Sequence, residues 1–94
     1  MTGRTILVVE DDPAIRRGLV DSLEFAGYQV QACEDGTSAR RVLASAELDL
    51  VLLDVMLPGV DGFTLLEEAR LSRPTLPIIL VTARGAEEDR VRGL

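Results

Sequence analysis

The sequence predicts an α/β fold, a three-layer, doubly wound parallel sheet with helices on both faces, and three observations carry that prediction. Short apolar runs alternate with stretches of helical periodicity in the order βαβαβαβα. The third run is almost continuously apolar, as in a central strand covered on both faces. The chain has 94 residues, 47% of them hydrophobic, which suits one small domain with a real core and excludes a second one.

The first strand is Thr5 to Val9, a β-rich run that ends on Glu10, Asp11 and Asp12. Asp12 fits an N-cap and Pro13 a first helical turn, so a helix follows. Ile15, Leu19, Val20 and Leu23 form its apolar stripe, Arg16, Arg17, Asp21 and Glu24 its outer face, and Gly27 its stop. Tyr28 to Cys33 reads as the second strand. The turn Asp35-Gly36-Thr37 leads into a helix with Ala39, Val42, Leu43 and Ala46 inward and Arg40-Arg41 outward. Leu48 to Leu53 is the third strand, stopped at Asp54. Leu57-Pro58-Gly59 forces a turn, Asp61 caps the next helix, and Phe63, Leu66 and Ala69 are spaced to face inward. Ile78 to Val81 is the fourth strand, ending at Thr82-Ala83, and Glu87 to Leu94 begins a further helix. Parallel strands need crossovers, which are right-handed in nearly all cases.

Charge and composition narrow the function. A net charge of −6 with no His argues against a nucleic-acid backbone or an anionic membrane as a direct partner. The lone Cys33 cannot close an internal disulfide, and it reads as a small buried apolar residue. Without imidazole or paired thiolates, any metal must be held by oxygen. The opening residues offer neither a signal peptide nor a spanning segment, so a cytoplasmic location is expected. Every one of the ten basic residues is Arg.

In a doubly wound sheet, sites form at the carboxyl ends of the strands. Here those ends hold Glu10 and Asp11, Asp54, and Thr82, which meet in one crevice if strands one and three are neighbours. Clustered carboxylates repel unless a cation compensates, and an all-oxygen site with room for water and a phosphate oxygen suits Mg²⁺. A carboxylate beside Mg²⁺ can act as a nucleophile toward phosphorus, and Asp54, which interrupts an apolar run, is best placed for it. Asp12 and Asp61 read as caps, and Arg40-Arg41 with Arg90 and Arg92 as solvated helix faces.

These residues resemble the receiver domain of two-component response regulators. The segment Val8-Val9-Glu10-Asp11-Asp12-Pro13 is similar to that family's acidic first turn. Leu53-Asp54-Val55-Met56-Leu57-Pro58-Gly59-Val60-Asp61-Gly62 is similar to its phosphoacceptor segment, and Val81-Thr82-Ala83 to its fourth-strand switch. The resemblance spans the whole chain. It implies a flavodoxin-like receiver fold with strand order 2-1-3-4, and a phosphoryl group passed from a histidine kinase to Asp54. It also implies Mg²⁺ ligated by Asp11, Asp54 and the Met56 carbonyl, with Glu10 acting through water. Thr82 would bond the phosphoryl oxygen, and the small Ala83 would leave it reachable. Bulky Met56 and Arg84, at positions that control hydrolytic water, imply a long-lived acyl phosphate. The wording of the acidic turn and of Met56 to Gly59 is closest to receivers joined to winged-helix DNA-binding domains, which implies control of transcription through an output domain.

The resemblance also implies features that this sequence lacks: a fifth strand with a Lys beside a Pro, an aromatic switch residue and a fifth helix. We therefore expect residues 1–94 to be a single, C-terminally truncated receiver. Its fourth strand would then be an open edge prone to self-association through Ile78 to Val81. It would not be a turnover enzyme. Two alternatives stand beside the main reading. A phosphorylation-independent scaffold receiver is one. The other is a Mg²⁺-dependent aspartyl-nucleophile phosphohydrolase, which would need an acid where Met56 stands. A flavodoxin-like cofactor binder fits poorly, because Glu10-Asp11-Asp12 would repel its phosphate.

Overall fold

A computed structural model describes residues 3–81. Its elements run β1 (Thr5–Val9), α1 (Pro13–Phe25), β2 (Gln29–Cys33), α2 (Gly36–Ser45), β3 (Leu50–Asp54), α3 (Gly62–Ser72) and β4 (Ile78–Val81). The four strands form one parallel sheet in the order β2-β1-β3-β4, as the resemblance implied. The chain steps from β1 to β2 on one side, then back past β1 to β3 on the other. Right-handed crossovers therefore put α1 on one face of the sheet and α2 and α3 on the opposite face.

The core follows from strand alternation. Leu7, Val9, Val51 and Leu53 point to one face, where they pack with Ala39 and Leu43 of α2 and with Leu65 and Ala69 of α3. Ile6 and Val8 point to the other face and are also buried. The α1 stripe of Ile15, Leu19, Val20 and Leu23 is where periodicity puts it but only half-buried. Cys33 is buried, as expected. The caps are as read: Asp12 Oδ1 accepts from Ala14 N at 2.9 Å and Ile15 N at 3.1 Å, and Asp61 Oδ1 from Thr64 N at 3.0 Å. Asp35 caps α2 by accepting from Ser38 N at 2.8 Å. At the end of α1, Gly27 adopts φ 102°, and Tyr28 N reaches back to Leu23 O at 3.1 Å.

Four local expectations change. The third strand is shifted toward its carboxyl end and includes Asp54, because Val55 N still donates to Val81 O at 3.3 Å. In α3 the buried residues are Gly62, Leu65 and Ala69. Leu66 is half-buried, and Phe63 is 59% exposed. Arg40 is not simply solvated, since its Nε and Nη2 donate to both carboxylate oxygens of Glu68 on α3 at 2.9 and 2.6 Å. Arg16, expected on the outer face of α1, turns back toward the first loop. Thr82-Ala83, Arg84 and the helix expected from Glu87 lie outside the described residues.

Two glycines fix how the loop after β3 sits. A Cβ on Gly36 would lie 2.0 Å from the Val60 carbonyl oxygen, and Gly36 N donates to Pro58 O at 3.2 Å. A Cβ on Gly62 would lie 2.5 Å from Val55 Cα, and Gly62 N donates to Val55 O at 3.1 Å. The first turns of α2 and α3 therefore rest directly on the loop backbone, which only a residue without a side chain permits. Among the described residues no helix is long and apolar enough to cross a membrane.

Candidate functional site

The register of the sheet assembles the acidic residues. Val9 pairs with Leu53, so Glu10 and Asp54 are the next residues on adjacent parallel strands and share a face. Glu10 N donates to Cys33 O at 3.0 Å, carrying the β1–β2 pairing one residue beyond β1. Asp11 follows in the loop to α1. Carboxylate oxygens of Glu10, Asp11 and Asp54 all lie within 4.8 Å of one another. An open cleft of about 450 Å³ beside them is lined by Asp11, Val55, Met56, Leu57, Pro58 and Asp61.

Glu10 and Asp54 are each only 1% exposed, the only buried charged residues among those described. Their hydrogen bonding follows one pattern. Glu10 Oε2 accepts from Asp12 N and Asp54 Oδ1 accepts from Met56 N, both at 3.0 Å. In each case a backbone N–H two residues ahead fixes one oxygen. The other oxygen, Glu10 Oε1 or Asp54 Oδ2, is buried with no donor among the described residues.

Burying carboxylates with free lone pairs is costly unless a cation or a proton compensates. A proton on Glu10 is one such compensation. Burial pushes the Glu10 carboxyl from its ordinary 4.5 up to about 7, against the lowering effect of the Asp12 N–H, and the neighbouring Asp54 and Asp11 raise it further. Hard oxygen donors with unused lone pairs fit a small divalent cation, and a bound cation would displace that proton.

The structure thus brings together Glu10, Asp11 and Asp54 of the residues singled out in the sequence. Met56 stands at the rim, its side chain 55% exposed and its N–H turned to Asp54. Thr82 lies outside the described residues. Sequence reasoning missed Arg16, whose Nη1 donates to Glu10 O at 2.9 Å and Asp11 O at 3.4 Å. It also read Gly36 only as a turn residue and left Gly62 without a role, although glycine at the first position of two helices is itself a signal of close backbone approach.

Known proteins fit this arrangement. The chain is 44% identical over 88 residues to the transcriptional activator protein PfeR of Pseudomonas aeruginosa, covering 94% of this chain and 28% of that protein. It is 45% identical over 89 residues to the response regulator MprA of Mycolicibacterium vanbaalenii, covering 95% of this chain and 38% of that protein. The chain therefore spans well under half the length of these relatives. Among solved structures, one is the receiver domain of the sensor histidine kinase PA1611 of Pseudomonas aeruginosa PAO1, with a magnesium ion in its active-site cleft. It superposes with TM-score 0.83 at 34% identity, covering 96% of this chain and 75% of that one. A chain from the complex of the histidine kinase ThkA with the response regulator protein TrrA superposes with TM-score 0.79 at 39% identity, covering 85% and 69%. The family model that describes the response regulator receiver domain matches residues 6–94, and this chain belongs to that family.

Proposed function

We propose that this domain accepts a phosphoryl group on Asp54 from a phosphohistidine of a partner histidine kinase, and so controls an output domain. The observation that carries the reading is Asp54 itself. It is a carboxylate at the end of an apolar strand, buried, held by the Met56 N–H through one oxygen and, among the described residues, with the other oxygen unbonded beside two further carboxylates. An unbonded carboxylate oxygen with a fixed partner is oriented as a nucleophile. Its attack forms an O–P bond as the P–N bond of the phosphohistidine breaks, and the proton that the leaving imidazole needs comes from solvent.

Asp11, Asp54 and the Met56 carbonyl would hold Mg²⁺, with Glu10 acting through water. When bound, the ion supplies charge neutralisation for the transferring group. With the ion bound, Glu10 would give up its proton and add its charge to the cluster, and the two backbone N–H groups hold the carboxylates in place. Thr82 is assigned the bond to the phosphoryl oxygen, and the domain acts as a self-phosphorylating module with no turnover of its own. The kinase partner is supported by the histidine kinase complex among the similar structures. A DNA-binding output domain is supported by a transcriptional activator of which this chain matches 28%. Cytoplasmic location follows from that role. Self-association through Ile78 to Val81 remains an expectation, and a monomer in concentrated solution by light scattering refutes it.

The test is incubation with Mg²⁺ and acetyl phosphate, read by intact mass beside an Asp54→Asn control. One phosphoryl group on the wild type and none on the control supports the reading. A folded wild-type chain that gains none refutes it for this chain and favours the scaffold alternative.

A further inference from the structure

The first loop carries two of the three clustered acids, and a single side chain from α1 holds its backbone. Arg16 Nη1 donates to the carbonyl oxygens of Glu10, at 2.9 Å, and Asp11, at 3.4 Å. Its Nη2 lies 4.0 Å from Glu34 Oε1 in the next loop, and the Arg16 side chain is only 23% exposed. Arg17 makes the contrast. It is 81% exposed and, among the described residues, meets only Asp21, at 3.8 Å, one helical turn along.

A carbonyl fixed by a donor fixes its peptide plane, and the plane sets the direction from which the neighbouring side chains leave the backbone. Two consecutive planes held by one planar guanidinium leave Glu10 and Asp11 little freedom to swing apart, although their charges repel. We propose that Arg16 is a positioning residue for the acidic cluster, holding Glu10 and Asp11 in the geometry that binds a divalent cation. The inference rests on the reading of Glu10, Asp11 and Asp54 as the Mg²⁺ site.

Its sign separates it from a plain charge effect. A nearby guanidinium repels a dication, so deleting Arg16 as a mere charge would strengthen Mg²⁺ binding. Deleting it as a positioner weakens binding, because residues that orient ligands typically contribute about 10–100-fold in metal affinity. Lys offers one ammonium to one carbonyl and restores part of the effect.

Calorimetric titration of Mg²⁺ into the wild type, Arg16→Met, Arg16→Lys and Arg17→Met decides the matter, with circular dichroism to verify folding. The expected result is affinity lowered roughly tenfold or more in Arg16→Met, partly recovered in Arg16→Lys, and unchanged or slightly raised in Arg17→Met. Arg16→Met binding Mg²⁺ as tightly as the wild type, or more tightly, overturns the proposal. Where Arg16→Met does not fold, Arg16→Gln is held to the same criterion. A wild type that binds no Mg²⁺ overturns the metal reading itself and the proposal with it. That failure is recognised from the wild type alone.

Discussion

Glu10→Gln should stabilise the metal-free protein at alkaline pH. In the folded chain the Glu10 carboxyl is raised from 4.5 to about 7, first by burial and then by Asp54 and Asp11. A raised carboxyl binds its proton more tightly folded than unfolded. Stability is therefore fully present below about pH 4.5 and is lost as pH climbs through about 7. At 1.36 kcal/mol per pH unit the loss amounts to about 3 kcal/mol, large beside the 5–15 kcal/mol typical of a domain. Gln keeps an acceptor for Asp12 N, offers an amide donor toward Asp54 and carries no charge, so the variant lacks this loss. Asp35, Asp61 and Glu68 are shifted the other way by their hydrogen bonds, and what they contribute is lost as pH falls through the carboxylate range. Both proteins share those groups, so they cancel in the comparison. Urea unfolding by circular dichroism in EDTA, from pH 5 to pH 8, should show the wild type declining and Glu10→Gln much flatter. Added Mg²⁺ should restore the wild type at pH 8 far more than the variant. Stabilities that fall in parallel, within about 0.5 kcal/mol at every pH, would refute the reasoning.

Two further predictions concern glycines that look alike in the sequence. Gly36→Ala places a methyl 2.0 Å from the Val60 oxygen and should lower stability by about 1–3 kcal/mol, read as a reduced urea midpoint, with weakened Mg²⁺ binding as the loop is displaced. Gly18→Ala, in mid-helix with nothing within 4 Å of the added carbon, should raise stability by about 0.5–1 kcal/mol in the same measurement.

The strands were legible because each is a compact apolar run stopped by a charged or turn residue, and Asp54 announced itself by interrupting the most apolar of them. The caps at Asp12 and Asp61 were legible because capping is local chemistry. The phase of α3 was not. Adjacent Leu65 and Leu66 let the apolar stripe centre on either, and Phe63 sits in the first turn, where its exposure depends on the approach angle of the helix. Arg16 was hidden for a different reason. Its partners are backbone carbonyls, which leave no trace in residue types, so periodicity alone put it outward beside Arg17. Gly36 and Gly62 are needed because of backbone from another part of the chain, and that contact appears only once the sheet order is known.

The sheet order has a consequence for biosynthesis. β1 is made first yet lies in the interior of the sheet, with Ile6, Leu7, Val8 and Val9 at most 3% exposed in the finished domain. It can pair with β2 early, but its other edge waits for β3, more than forty residues later. At ribosomal rates of about 5–20 residues per second, that edge of the apolar strand stays open for roughly 2 to 9 seconds. During that interval its open edge is the segment of the nascent chain most available to a chaperone or to another copy of itself.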